Sequence, residues 1–298
     1  MRHFTLLQYD TMGDDLMLGL TLEGGAARSV FAAGVTDVLL EENIIADVIV
    51  GVSAGIAFAT SYASGQHGRN LEIALHYMPT KKYMGLRHLL NPKNRSYYNM
   101  DYVFYDIPEH IVPFDYAALA AYPGRIYCVV TNLDTGKPEY IELPRTDHRN
   151  MYMRASCALP IMFPVFHLDG KNYMDGGITD SIPYKKAMDE GCDKNIVILT
   201  REIGYTKTTD RATAYAARKF RKYPEFSSAL LHRADMYNRK VAELEELERR
   251  GKVFILRPDT TEGIARTESD PKVLRMLYDK GADLMRSRIG ELRDYLAK

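Results

Sequence analysis

Asp47-Val48-Ile49-Val50-Gly51-Val52-Ser53-Ala54-Gly55-Ile56-Ala57-Phe58-Ala59-Thr60 is the stretch that decides how this chain folds. An apolar, β-branched run leads into Gly51-Val52-Ser53-Ala54-Gly55. Small apolar residues follow, with no breaker before Gly65. The pattern predicts strand, sharp turn, helix. G-x-S-x-G in that setting reads as a nucleophile elbow, a strained turn that lifts a serine hydroxyl into the open. Gly51 and Gly55 are read as positions where a Cβ would collide with the neighbouring strand or helix. A helix starting after Ser53 brings its positive end and free N–H groups near the hydroxyl.

Upstream, Met17-Leu18-Gly19-Leu20-Thr21-Leu22 reads as a buried strand and Ser29 to Glu42 as a helix packed on a sheet. Between them lies Glu23-Gly24-Gly25-Ala26-Ala27-Arg28. Small residues at a helix start let backbone N–H groups form a nest for an anion or a developing oxyanion. Alone, such a loop is equally a nucleotide phosphate loop or a plain turn. G-x-G-x-x-G does not fit at 24 to 29, and no G-x-x-x-x-G-K-[ST] occurs. The serine elbow one strand later favours an oxyanion hole built from Gly24, Gly25, Ala26 and Ala27, with the amide of Ala54.

Downstream, Tyr173-Met174-Asp175-Gly176-Gly177 follows a tight turn in His167-Leu168-Asp169-Gly170-Lys171-Asn172, so Asp175 ends a short strand. In isolation this is an Asx-type turn; it gains weight because Ser53 needs a base. An α/β-hydrolase would order its triad Ser, Asp, His. Beyond Asp175 the one histidine is His232, inside a charged helical stretch that suits a solvated residue. Ser53 is therefore read as working with Asp175 directly, without histidine.

These blocks resemble the signature blocks of the patatin-like phospholipases, in the bacterial branch with Glu before the glycine loop. A fourth block, Ala155-Ser156-Cys157-Ala158-Leu159-Pro160-Ile161-Met162-Phe163-Pro164, is similar to the A-S-x-A-x-P-x-x-F-x-P stretch upstream of that family's catalytic Asp. The resemblance covers about residues 16 to 200 and implies acyl-ester hydrolysis of lipid-like substrates by a Ser53–Asp175 dyad, with no cofactor. One departure stands out. The family's glycine block is usually G-G-G-x-[RK]-G, and here Ala26 and Ser29 replace two glycines. Alanine resists a positive φ, so a modified loop and a weaker or differently aimed oxyanion hole stay open. Arg28 matches the family's basic position. It either supports the site or makes a helix-start salt bridge.

The chemistry expected is attack by Ser53 on an ester carbonyl with Asp175 as base, then deacylation by water. Burial raising the carboxyl pKa would make Asp175 a better base. Gly176 and Gly177 allow close backbone approach beside it. No metal is required. An acyltransferase on the same site and a non-catalytic lipid-binding protein remain open.

Composition fits. The chain has 298 residues, 46% hydrophobic, with 39 Lys+Arg against 39 Asp+Glu, so no global field steers it to nucleic acid. Transient contact with a membrane surface stays open, as does the oligomeric state. Cys128, Cys157 and Cys192 suit neither a disulfide scaffold nor a zinc site and point to a reducing cytoplasm. Met1 to Gln8 lacks the apolar segment of a targeting signal.

The fold expected is a three-layer α/β/α sandwich on a mostly parallel sheet, with the site at the carboxyl ends of its strands. Residues 16–200 form the core. Within it, 66–123 is an aromatic insertion, either surface helices or a lid or acyl-binding wall over Ser53. Residues 201–298 are a helical C-terminal region packed on the core. There 206–250 reads as one charged helical stretch, with a basic cluster of Arg211, Arg218, Lys219, Arg221 and Lys222. Val253 to Leu256 reads as a late strand, and Lys272 to Leu296 as a final helical region weakened at Gly281 and Gly290.

Overall fold

The computed structural model describes residues 16–92 and 95–298; the N-terminal segment read above for targeting lies outside them. One sheet contains β1 (Leu18–Leu22), β2 (Val48–Val52), β3 (Arg125–Asn132), β4 (Pro138–Glu142), β5 (Phe166–Leu168), β6 (Lys171–Asp175), β7 (Lys194–Ile198) and β8 (Phe254–Leu256). Parallel pairing joins β3 to β2, β2 to β1, β1 to β7 and β7 to β8. Antiparallel pairing joins β3 to β4, β3 to β6 and β5 to β6.

Alternation along the strands sorts the helices into two layers. One face carries Leu20, Leu22, Ile49, Ile126, Cys128, Ile196 and Ile198. It is covered by α1 (Val30–Glu41), α2 (Ala54–Ala63), α5 (Met151–Ser156) and α9 (Pro271–Ser287). The other face carries Val48, Val50, Val52, Val129 and Val197, covered by α6 (Tyr184–Asp189) and α8 (Pro224–Arg249). This is the three-layer α/β/α sandwich on a mostly parallel sheet.

The C-terminal part joins the same architecture. β8 extends the sheet beside β7, and α9 crosses α1 at two glycines. A Cβ on Gly34 would lie 2.0 Å from the carbonyl of Tyr278, and one on Gly281 would lie 2.0 Å from that of Phe31. Gly281 is thus where two backbones meet, not a weak point. α9 runs through it and ends at Ser287, and α10 (Ile289–Leu296) follows after Arg288. The stretch 206–250 is likewise not one helix: α7 (Arg211–Lys219) and α8 are separated at Phe220–Tyr223, and Pro224 opens α8. Arg211, Arg218, Lys219, Arg221 and Lys222 are exposed.

In the insertion, α3 (Arg69–His76), a π-helical segment at Tyr102–Ile111 and α4 (Tyr116–Ala121) pack beside α2. They enclose a cavity whose walls include Ala57, Phe58, Ile73, Val103, Phe104 and Leu119. Among the described residues, no helix is long and apolar enough to cross a membrane.

Candidate active site

The site is set by a junction of strands. Tyr127 to Val129 of β3 pair with β2 and also with β4, so β2 and β4 flank opposite edges. Val130 and Thr131 pair with β6 and also with β4. β2 and β6 therefore share one edge of β3 and approach each other from opposite ends. Val52 is opposite Val129 and Asp175 is opposite Val130. The residue after Val52 is Ser53, so the register brings Ser53 and Asp175 together.

Ser53 has φ 55° and ψ −132°, a conformation that costs a non-glycine residue about 1–3 kcal/mol. Its neighbours hold it there. A Cβ on Gly51 would meet Ile56 Cα at 2.7 Å, and one on Gly55 would meet the carbonyl of Leu22 at 2.6 Å, so strand and helix pack too closely for side chains at either position. The Ser53 N–H donates to Ser156 Oγ at 2.8 Å, and Ser156 Oγ donates to the carbonyl of Val129 at 2.7 Å. The Ser53 side chain lies beside the Asp175 carboxyl and the Cys157 thiol and favours the charged form of each.

Asp175 is buried at the end of β6. Its Oδ1 accepts from the Gly177 N–H at 2.7 Å, and its own N–H donates to the carbonyl of Ala158 at 2.9 Å. Gly176 passes so close to β3 that a Cβ would lie 2.2 Å from the carbonyl of Val129. Burial raises the Asp175 carboxyl above its ordinary value, opposed by the charge of Arg233, the Gly177 amide and the Ser53 hydroxyl. Desolvation also pushes Cys128 up to about 12 and Cys157 well above the usual thiol range, so both stay protonated. His232 is exposed and bonds the carbonyl of Ser228 on its own helix.

The glycine loop lies directly against the elbow. A Cβ on Gly24 would sit 2.8 Å from Ser53 Cβ, and one on Gly25 would sit 2.7 Å from Thr200 Oγ1. Ala26 does adopt the positive φ, at 51°. Alanine here enters a region that usually demands glycine. One expected donor is engaged elsewhere: the Ala27 N–H donates to the carbonyl of Arg266 at 3.1 Å. Among the described residues no acceptor is recorded for the amides of Gly24, Gly25, Ala26 or Ala54, and Ala54 is the first residue of α2. Such donors can hold a developing oxyanion beside Ser53. Arg28 is buried, donates to the carbonyl of Ile264 at 3.4 Å and makes no ion pair among the described residues. It thus makes no helix-start salt bridge.

Sequence reading missed Ser156, Arg233 and Arg266. Ser156 stood inside a quoted block whose serine carries no chemistry by type. The two arginines come from the C-terminal part and arrive only through the tertiary fold.

The chain also resembles known proteins in sequence. The family model described as patatin-like phospholipase matches residues 20–188, and one described as a domain of unknown function (DUF6363) matches residues 223–297. The chain is 28% identical over 187 residues to the uncharacterized protein YjjU of Escherichia coli, across 61% of this chain and 52% of that protein. It is 26% identical over 191 residues to lysophospholipase nte1 of Aspergillus fumigatus, across 63% of this chain and 12% of that one. It is 27% identical over 186 residues to lysophospholipase NTE1 of Saccharomyces cerevisiae, across 59% and 10%. The chain thus spans about half of YjjU and about a tenth of the two lysophospholipases. The crystal structure of VipD from Legionella pneumophila superposes with a TM-score of 0.42 at 14% identity, covering 92% of this chain and 67% of VipD.

Proposed function

The chain belongs to the patatin-like phospholipase family, and from that membership we propose that it cleaves carboxylic esters of lipids through Ser53 and Asp175. The observation that carries the reading is the register of β3, which brings Ser53 beside the buried Asp175. Asp175 takes the hydroxyl proton as Ser53 Oγ bonds to the ester carbonyl carbon. The oxyanion is held by the N–H groups of Gly24, Gly25, Ala26 and Ala54. Ala27 is left out of that set because its N–H serves Arg266. As the tetrahedral species collapses, the C–O bond to the alcohol breaks, and the alcohol leaves with the proton from Asp175. Water then gives a proton to Asp175 and attacks the acyl carbon; the bond to Ser53 Oγ breaks, and Asp175 returns the proton to Ser53.

The roles of the remaining residues follow from this reading. Gly51 and Gly55 keep the elbow tight. Gly176 and Gly177 seat Asp175. The acyl chain runs toward the cavity beside α2, because Ala57 lines it one helical turn beyond Ala54. Residues 16–200 supply Ser53, Asp175 and the loop, and the part after residue 200 completes the sheet and both helix layers around them.

The test is hydrolysis of nitrophenyl esters of graded acyl length by wild type, Ser53→Ala and Asp175→Asn. Loss of turnover by at least about 10³-fold in both variants, with unfolding transitions preserved, is the expected result. Equal rates in wild type and Ser53→Ala would remove Ser53 from the mechanism.

A further inference from the structure

Four cations converge on the rim of the site and three of them come from outside the segment that carries the dyad. Arg28 ends the glycine loop. Lys207 lies on the loop after β7, Arg233 on α8 and Arg266 on the loop before α9. Arg233 Nε donates to the carbonyl of Gly177 at 2.7 Å, and its Nη2 would lie 3.6 Å from a Cβ on Gly177, beside Asp175. The carbonyl of Arg266 takes the Ala27 N–H, which ties its loop to the oxyanion loop. Lys207 Nζ lies 4.2 Å from the ring centre of Tyr237, whose hydroxyl feels the charge of Glu23.

What sets this group apart is that none of its charges is closed off in a direct ion pair. Among the described residues none of the four makes an ion pair within 4 Å of a carboxylate, although such pairs occur elsewhere in the fold. The carboxylates facing the group are Glu23 and Asp175. Glu23 is buried and accepts from the Thr200 N–H at 2.6 Å. At the margin, Glu202 and Arg201 share the hydroxyl of Thr261, and Asp210 caps α7 through Thr213. Arg28 is buried with no acceptor for its Nε among the described residues. Burying the Arg28 guanidinium with an orphaned N–H near the half-buried Lys207 and Arg233 is costly unless an anion completes the set, with the exposed Arg266 at its edge. The mutual field supports this: burial and the neighbouring cations lower Lys207 to about 7 and Arg28 to about 10.

We propose that Arg28, Lys207, Arg233 and Arg266 form a recognition site for a phosphate-bearing anion, so that the enzyme selects acyl esters whose alcohol part carries a phosphomonoester. With Arg201 also acting on Arg28 and Lys207, cations outnumber Glu23 and Asp175 here, which suits a phosphate anion. The proposal rests on the hydrolase reading above and gives the C-terminal region a function, since it supplies three of the four side chains.

The test compares kcat/KM for three hexanoyl esters in monomeric solution: hexanoylglycerol 3-phosphate, hexanoylglycerol and hexanoylglycerophosphocholine. Wild type, Lys207→Gln and Arg266→Gln are assayed. The phosphomonoester is expected to exceed the uncharged ester at least tenfold, and each variant to lower that ratio at least fivefold, mainly through KM. A ratio near one in wild type, or unchanged in both variants, would overturn the proposal and leave the hydrolase reading standing. Ser53→Ala titrated calorimetrically with glycerol 3-phosphate separates the two readings. Saturable binding that Lys207→Gln abolishes, with no hydrolysis by wild type, would support the anion site and overturn the hydrolase. Inorganic phosphate tests the source of the anion. Competition against the phosphomonoester supports a headgroup site. Modulation of the uncharged ester with no substrate preference would mean a free-anion site and overturn the selectivity.

Discussion

The backbone N–H of Ser53 is held at 2.8 Å by the hydroxyl of Ser156, which is itself anchored to Val129 on the strand between Ser53 and Asp175. A single side chain therefore fixes the elbow against the register of β3. Ser156→Ala leaves the Ser53 N–H and the Val129 carbonyl without that partner, at about 1–3 kcal/mol. The expected result is a ten- to hundred-fold fall in kcat for nitrophenyl esters. KM should change little, because Ser156 positions the nucleophile without reaching the substrate. A kcat within twofold of wild type would show that the elbow is held by its glycines alone.

Asp175 carries opposite demands of folding and chemistry. Burial raises its carboxyl above the ordinary value even with Arg233 and the Gly177 amide favouring the charged form. The ionised form is therefore disfavoured in the fold relative to the unfolded chain, a cost present at neutral pH and relieved as pH falls through the folded value. Asp175→Asn removes the charge and keeps an oxygen for the Gly177 N–H. Its melting temperature at pH 7 should equal or exceed that of wild type while activity is lost. The acid limb of kcat/KM in wild type should lie above the usual carboxylate range. A limb near pH 4 would mean that an unshifted group controls the rate.

Ala26 stores strain that the family's usual glycine would not. Its φ of 51° costs an alanine about 1–2 kcal/mol. Glycine gives back about 0.4–1 kcal/mol through the unfolded chain. Ala26→Gly should therefore stabilise the protein by about 0.5–1 kcal/mol, a rise of about 1–3 °C by calorimetry. A fall in melting temperature would indicate that the methyl group makes a packing contact worth more than the strain.

Lys207 makes anion binding pH-dependent. Burial lowers its pKa to about 7, helped by Arg233, Arg266 and Arg201 and opposed by Glu23. Tyr205 and Tyr237 pack their rings near its ammonium. An anion favours the protonated lysine, so binding takes up a proton and weakens as pH rises through 7. Sulfate, which does not titrate there, should bind Ser53→Ala more weakly at pH 8.5 than at pH 6, with the slope reduced in Lys207→Gln. A flat profile in the parent protein would remove Lys207 from the site.

Strand, turn and helix around Ser53 were legible because a strained turn leaves a short-range glycine pattern. The same holds for the turn before Asp175, where Asp169 and Gly170 both take positive φ. That the two ends meet was expected from chemistry alone. The physical reason, two strands sharing one edge of β3, is a matter of long-range register that no local pattern encodes. Arg233 read as one more charge on a solvated helix, since nothing local shows which face of α8 turns toward Gly177. The break at Phe220–Tyr223 was overlooked because charge and periodicity continue across it.

Gly281 is the clearest misreading, and it yields the strongest stability prediction. In isolation a mid-helix glycine costs about 1 kcal/mol against alanine, so Gly281→Ala should stabilise α9. In the fold a Cβ there would lie 2.0 Å from the Phe31 carbonyl, backbone against backbone, with no rotamer to relieve it. Overpacking of this kind costs about 1–3 kcal/mol, and more where neither element can move. α1 and α9 are also pinned by Gly34 against Tyr278 and by the Tyr278 hydroxyl on Asp37 at 2.6 Å. We expect Gly281→Ala to lose at least about 3 kcal/mol in urea unfolding. Because the loop before α9 carries Arg266, whose carbonyl holds Ala27, a displaced α9 should also lower kcat/KM before global unfolding. An unchanged or raised midpoint would show that the two helices separate freely, and that the helix propensity of alanine decides the outcome.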